Sequence, residues 1–298
     1  MKVTEQTYFN PATGRNVGYA RAKTLGLIPA KPQPAKSLET SVGTFEVETV
    51  QVADLYFDDG MFTPIPMEHD CLDGFISSDG GFMPATNIIV IGKPGVGKST
   101  VSLDFLSRAK RSGSKVLFIS GEMGRIDMYR YCKRFPEFAT LDTLFLGDYI
   151  DKNPAIAIEQ VLKRGYDMVL IDSWAEVCIM LKDTNPWTKS ETESWVLDLL
   201  EKNNEGKNDA GKFTCFLIIQ QVTKSGDALG SNRLKHMTSG MLELFRSDEQ
   251  THMSFSKNRV GSTDLEVGYS IGREEVVYYP VDTLEEYSDE ELEEVEEF

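Results

Sequence analysis

Eight consecutive residues of this chain have the types and spacing to hold a phosphate. Gly92, Lys93, Pro94, Gly95, Val96, Gly97, Lys98 and Ser99 fit the pattern GxxxxGK[ST], and Thr100 follows them. Glycines let backbone N–H groups converge on phosphate oxygens where a Cβ would collide. A helix starting near Lys98 offers its free amides and its dipole to the anion. Lys98 then reaches the β- and γ-phosphates, and the Ser99 hydroxyl takes Mg²⁺. The expected ligands are ATP and Mg²⁺, with 92–100 as the binding segment. A chance match is the competing explanation, and the context argues against it. The apolar run NIIVIG (87–92) leads in, and the amphipathic STVSLDFLSRAKRSG (99–113) leads out.

Holding phosphates is not hydrolysing them, which also needs a metal-side carboxylate and a group to position water. MVLIDS (168–173) reads as a buried strand ending in an acid. At a strand's carboxyl end Asp172 would sit beside the phosphate loop, where open α/β sheets bind ligands. Glu122 follows the strand KVLFISG in the same way and is a candidate general base for the attacking water. Its alternative is an acid near the start of the next helix. Gln220 and Gln221 end the strand TCFLII. An amide there either senses the γ-phosphate or satisfies local backbone.

These residues need a scaffold, and the text supplies one. Strands are expected at 87–92, 115–120, 141–146, 167–172 and 214–220. Helices are expected at 99–113, 125–135, 154–165, 192–202 and 232–245. Strand–helix alternation with continuous apolar strands predicts an α/β fold, a mostly parallel sheet with helices on both faces. The segments HMSFSKNR, LEVGYSI and EEVVYYPV are short and alternating, which predicts an antiparallel C-terminal extension. Alternation over 41–57 suggests one or two further strands.

The net charge of −16 is distributed unevenly. Residues 1–38 carry +5, 39–75 carry −9 and 282–298 carry −10, so the remaining core is nearly neutral. A negative total therefore does not exclude a nucleic-acid partner, because binding depends on local patches. The expected organisation is a flexible basic arm over 1–40, an ATPase domain over 41–281 with its core from about 64, and an acidic disordered tail over 282–298. The tail is a candidate protein-docking or autoinhibitory element, or simply solvated chain. No apolar run approaches the ~20 residues of a membrane span. MKVTEQTYFN has no apolar stretch of a secretory signal. The cysteines at 71, 132, 178 and 215 form no CxxC pair. Cytoplasmic placement is expected, in a bacterium or in the host of a bacteriophage.

Several stretches resemble the RadA family of RecA-like ATPases. FISGEM (118–123), MVLIDS and QQVTKSGDALGSNRLKHM (220–237) match in order, and KNRVG (257–261) is similar to the family's KNRFG. The DnaB-type replicative helicases carry a similar K-x-R signature. The resemblance covers about 64–280 and implies a RecA-like fold. It implies Glu122 as catalytic base, Asp172 as metal-side acid, and Gln221 where the family has histidine. It also implies that Lys257 and Arg259 act on a neighbouring subunit's nucleotide, in a hexameric ring or filament; the alternative is a solvated hairpin. DNA-facing loops are implied at 176–192, with Lys182, Trp187 and Lys189, and at 223–234, with Lys224, Arg233 and Lys235. Cations neutralise phosphates, and an indole stacks on a base. The family's four-cysteine zinc module and protease-like domain have no counterpart in this sequence, which suggests a solitary motor core. The function implied is ATP hydrolysis coupled to single-stranded or branched DNA. The alternatives are a DnaB-type helicase motor and an ATP-locked assembly factor or loader.

Overall fold

The computed structural model describes residues 7–10, 15–18, 49–57, 59–221, 232–247 and 250–281. Two compact units divide between Tyr56 and Phe57. In the first, β1 (Thr7–Asn10) and β2 (Arg15–Gly18) form an antiparallel hairpin within the expected basic arm. Of the strands expected over 41–57, residues 41–48 lie outside the described residues. Residues 49–57 hold only a 3-10 turn at Val52–Asp54, which corrects that part of the expectation. The acidic tail, 282–298, also lies outside the described residues.

The second unit opens with α1 (Asp70–Ile76) and β3 (Asn87–Gly92). There follow α2 (Lys98–Arg111), β4 (Val116–Ser120), α3 (Arg125–Arg134) and β5 (Thr143–Phe145). Next come α4 (Pro154–Leu162), β6 (Met168–Asp172), α5 (Trp174–Thr184), α6 (Lys189–Asn204) and β7 (Cys215–Ile219). The chain then runs through α7 (Asn232–Met237), β8 (Gly240–Ser247), β9 (Gln250–Asn258), β10 (Glu266–Ile271) and β11 (Val276–Pro280).

Nine strands make one sheet in the order β11-β10-β9-β8-β3-β7-β6-β4-β5. The six from β8 to β5 are parallel, and β9, β10 and β11 are added antiparallel. Strand side chains alternate between faces. Ile88, Val90, Val116, Phe118, Met168 and Leu170 pack on one side with α1, α2 and α3. Ile89, Ile91, Leu117, Ile119, Val169 and Ile171 pack on the other with α4, α5 and α6. Both faces are covered, so these strands read as continuous apolar runs. In the antiparallel extension Met253, Phe255, Val267, Tyr269, Val276 and Tyr278 join the first core. Among the described residues no helix is long and apolar enough to cross a membrane.

Two further expectations are corrected. Residues 232–245 are not one helix, because α7 ends at Met237 and β8 begins at Gly240. Gly240 lies against Ile88, where an added Cβ would stand 2.9 Å from its Cδ1. The following residues alternate between buried and half-buried, as a strand beside β3 requires. Residues 176–192 are not a loop. Helices α5 and α6 fill them except for 185–188, and Thr188 starts α6 with a reciprocal capping box to Glu191.

Candidate functional site

The carboxyl ends of β3, β4, β6 and β7 meet along one edge of the sheet and wall a cleft of ≈ 520 Å³. Gly92, Pro94, Gly95, Gly97, Lys98, Ser99 and Thr100 line it from the phosphate loop, facing Glu122, Asp172 and Gln221. Lys93 is exposed, and Val96 is tucked beneath the loop. Gly97 has φ +105°, and a Cβ there would collide with Ile271 Cδ1, so glycine is required on both counts. The Tyr269 hydroxyl donates to the Val96 carbonyl at 2.7 Å. Burial pushes that phenol far above its usual range and keeps it a donor. The loop is thus pinned from β10, an element distant in sequence.

Lys98 stands at the head of α2 and its ammonium donates to the carbonyls of Gly92 (2.8 Å) and Lys93 (3.2 Å). Burial lowers its pKa, while the Asp172 and Glu122 carboxylates oppose the shift. Ser99 Oγ donates to Asp172 Oδ2 at 2.6 Å across the gap between α2 and β6. Asp172 is 2% exposed. Burial pushes its carboxyl up to about 6, the Ser99 hydrogen bond opposes this, the Glu122 charge adds to it, and Lys98 opposes it. A hydroxyl and a buried carboxylate held together are ligands that Mg²⁺ prefers, and a divalent charge would offset the desolvation of Asp172. The residues present fit that ion.

Glu122 is placed through the backbone of β6. The N–H groups of Gly121 and Glu122 both donate to the Asp172 carbonyl, at 2.7 and 3.2 Å. Gly121 fits there because an added Cβ would lie only 3.2 Å from Val177 Cγ2 and 3.3 Å from Glu176 Cβ. Gln221 Nε2 donates to Glu122 Oε1 at 2.9 Å, so the amide that follows β7 steadies the carboxylate that follows β4. Tyr131, Arg134, Ile219 and Ile271 complete the lining. The first two are three residues apart on α3, the helix after Glu122, and that spacing is the signal that could have found them.

A family model described as ATPase: KaiC matches residues 66–139. The chain is 27% identical over 192 residues to the DNA repair protein RadA of Campylobacter jejuni, covering 63% of this chain and 40% of that protein. It is 27% identical over 210 residues to the DNA repair protein RadA of Mycobacterium tuberculosis, covering 69% and 41%. The chain thus aligns with about two fifths of the length of these relatives. Among solved structures it is similar to a KaiC-like protein from Pyrococcus horikoshii, with a TM-score of 0.53, 18% identity, and coverage of 73% of this chain and 100% of that one. The flagellar accessory protein FlaH from Methanocaldococcus jannaschii gives a TM-score of 0.51 at 11% identity, over 74% of this chain and 100% of that one. The chain is similar to RadA proteins and to KaiC-like ATPases of the RecA-like P-loop superfamily.

The remaining predicted residues that are described do not line the cleft. Arg259 N donates to the Ser239 carbonyl (3.0 Å), and Ser239 N donates to the Asn87 carbonyl (2.8 Å). Arg259 is therefore level with the first residue of β3, whereas the phosphate loop follows the last. Five strand steps separate the two levels, roughly 16 Å. The Lys257 ammonium is held by the Lys235 carbonyl at 3.1 Å, and its pKa is lowered by burial and by Arg259. Lys182, near the end of α5, and Lys189, at the start of α6, are exposed. The Lys189 ammonium lies 3.9 Å from Glu193. The Trp187 ring is half-buried, with its centroid 5.5 Å from that of Trp195. Lys235 is in α7. Lys224 lies outside the described residues, as does the side chain of Arg233.

Proposed function

We propose that this chain is a RadA-like ATPase that hydrolyses ATP with Mg²⁺ and couples the reaction to single-stranded or branched DNA, as a homo-oligomer. The observation that carries the hydrolytic reading is the pairing of Glu122 with Gln221 on the wall facing Ser99 and Asp172. Lys98 holds the β- and γ-phosphates. Glu122 takes a proton from the attacking water, whose oxygen bonds to the γ-phosphorus as the bond to the β-bridging oxygen breaks, leaving ADP and phosphate. Gln221 fixes the direction of the Glu122 carboxylate. Ser99 and Asp172 would hold Mg²⁺, which would supply neutralisation of phosphate charge. A passive ATP-locked clamp has no use for a general base, and this favours an enzyme over a loader.

The distance of Lys257 and Arg259 from their own cleft supports a role in trans, where a neighbour's cations stabilise charge at the γ-phosphate. DNA as the partner is supported by the names of the relatives and by the exposed Lys182 and Lys189. In this reading residues 1–40 are a basic arm and 282–298 an acidic tail that competes with DNA for cationic surface. The deciding experiment measures ATP turnover with and without single-stranded DNA, for the native chain and Glu122→Gln. DNA stimulation that Glu122→Gln abolishes is expected; turnover indifferent to DNA removes the coupling.

A further inference from the structure

A second cavity, of ≈ 400 Å³, opens between α5 and α6. Trp174, Cys178 and Ile179 give it an apolar wall, and the exposed Lys182 and Lys189 give it a cationic rim. Small-molecule sites of about 300–1,000 Å³ have this mixture of apolar wall and few polar groups. The feature that calls for a ligand is Glu193, which lines the same cavity. Its side chain is only 5% exposed, and its one ion pair, to Lys189, is 3.9 Å long with that lysine 71% exposed. Among the described residues Glu193 accepts no hydrogen bond. Buried carboxylates are ordinarily paired or well supplied with donors, so this one has spare acceptor capacity facing open space. Its field, with burial as the larger cause, helps push the Cys178 thiol up to about 12. Glu176 adds a second carboxylate to the lining. The cavity is anionic and apolar inside and cationic at its exposed lysines.

We propose that it receives one unstacked base of a single DNA strand, a base carrying an exocyclic amine, whose N–H donates to Glu193 while Lys182 and Lys189 hold the flanking phosphates. The inference rests on the DNA reading above and adds to it a base preference. Cytosine offers an amine and no repulsive oxygen at that edge. Thymine and uracil put a carbonyl oxygen where cytosine has its amine, so a carboxylate facing that position meets a second acceptor. Gln221 lines both this cavity and the nucleotide cleft, where it donates to Glu122. A base that contacts Gln221 therefore acts on the general base through one side chain, and filling the second cavity is felt in the first.

Oligonucleotides of deoxycytidine and deoxyuridine, equal in length, test this directly. The two bases differ at the amine position and in the proton on the adjacent ring nitrogen, and both stack weakly. Fluorescence anisotropy on the full chain should show the cytosine strand binding about 5- to 100-fold more tightly, the range that one good base contact supplies. ATPase stimulation should follow the same order. Glu193→Gln, which keeps the shape and adds a donor, should erase the preference, whereas Lys182→Ala should weaken both strands alike. Equal binding of the two strands by the native chain, or an undiminished preference in Glu193→Gln, overturns the base pocket and leaves the DNA reading standing. Binding of neither strand overturns both.

Discussion

Lys98, Glu122 and Asp172 bring three charges to one cleft, and their tasks separate on substitution. Lys98→Ala removes the cation over the β- and γ-phosphates and should abolish nucleotide binding. Glu122→Gln should leave binding intact and lower turnover by ~10²–10⁴-fold; equal rates for both proteins would remove the general-base role. Asp172 gives a prediction in pH. Its folded-state pKa, about 6, lies above the ordinary 3.8 because of burial. The folded protein thus binds the proton more readily than the unfolded chain. Ionising Asp172 costs nothing below about pH 4, and the cost is complete above pH 6. In EDTA, Asp172→Asn should stabilise the protein at pH 7.5 by on the order of 1–3 kcal/mol. Thermal melts should show that gain shrinking to nothing near pH 4. A gain that persists at pH 4 would mean the substitution acts through packing instead.

At the scale of elements, the phosphate loop rests on β10. Tyr269→Phe leaves the Val96 carbonyl buried without its donor, at a cost of about 1–2 kcal/mol. Calorimetry should show lower stability together with weaker ATP binding, while turnover at saturating ATP stays within about twofold of native, since no reacting group moves. Loss of turnover with unchanged affinity would contradict this role for the tyrosine. Nothing local announced the contact, because Tyr269 reads as one alternating residue of an antiparallel strand. The phosphate loop, Asp172 and Glu122 were legible because each depends on a strand and the few residues after it. Helix α7 and strand β8 were read as one helix because an apolar run of that length is ambiguous. What settles it is the place beside β3, where Gly240 meets Ile88. The helices between 174 and 204 were missed at 176–192 for the opposite reason. The family resemblance implies a loop there, whereas Thr188 and Glu191 carry the capping signature of a helix start. Glu193 gave no signal, since a glutamate four residues after a lysine on a helix usually faces solvent.

At the scale of the whole molecule, Arg259 and the nucleotide cleft lie at opposite edges of one sheet. Arg259→Ala should bind ATP normally and hydrolyse it poorly. Mixed with Glu122→Gln it should recover activity, because an interface can then pair an intact Glu122 with an intact Arg259. If mixing restores nothing, Arg259 does not act between subunits. The tail permits an independent test. It carries ten acids in 282–298. Removing 283–298 should tighten DNA binding, most at low salt, where screening over a Debye length of ~10 Å at 0.1 M has not yet set in. Unchanged affinity at low and high salt would leave the tail without that role. The opposed edges also set what the proposed trans role would require of an assembly. If Arg259 acts on a neighbour's nucleotide, a subunit that gives at one edge and receives at the other cannot pair face to face, so copies would add head to tail and the product would have a direction. An open row then always ends in one cleft with no donor. Its hydrolysis per subunit should rise with length and level off, whereas a closed ring reaches full output only when the last copy enters.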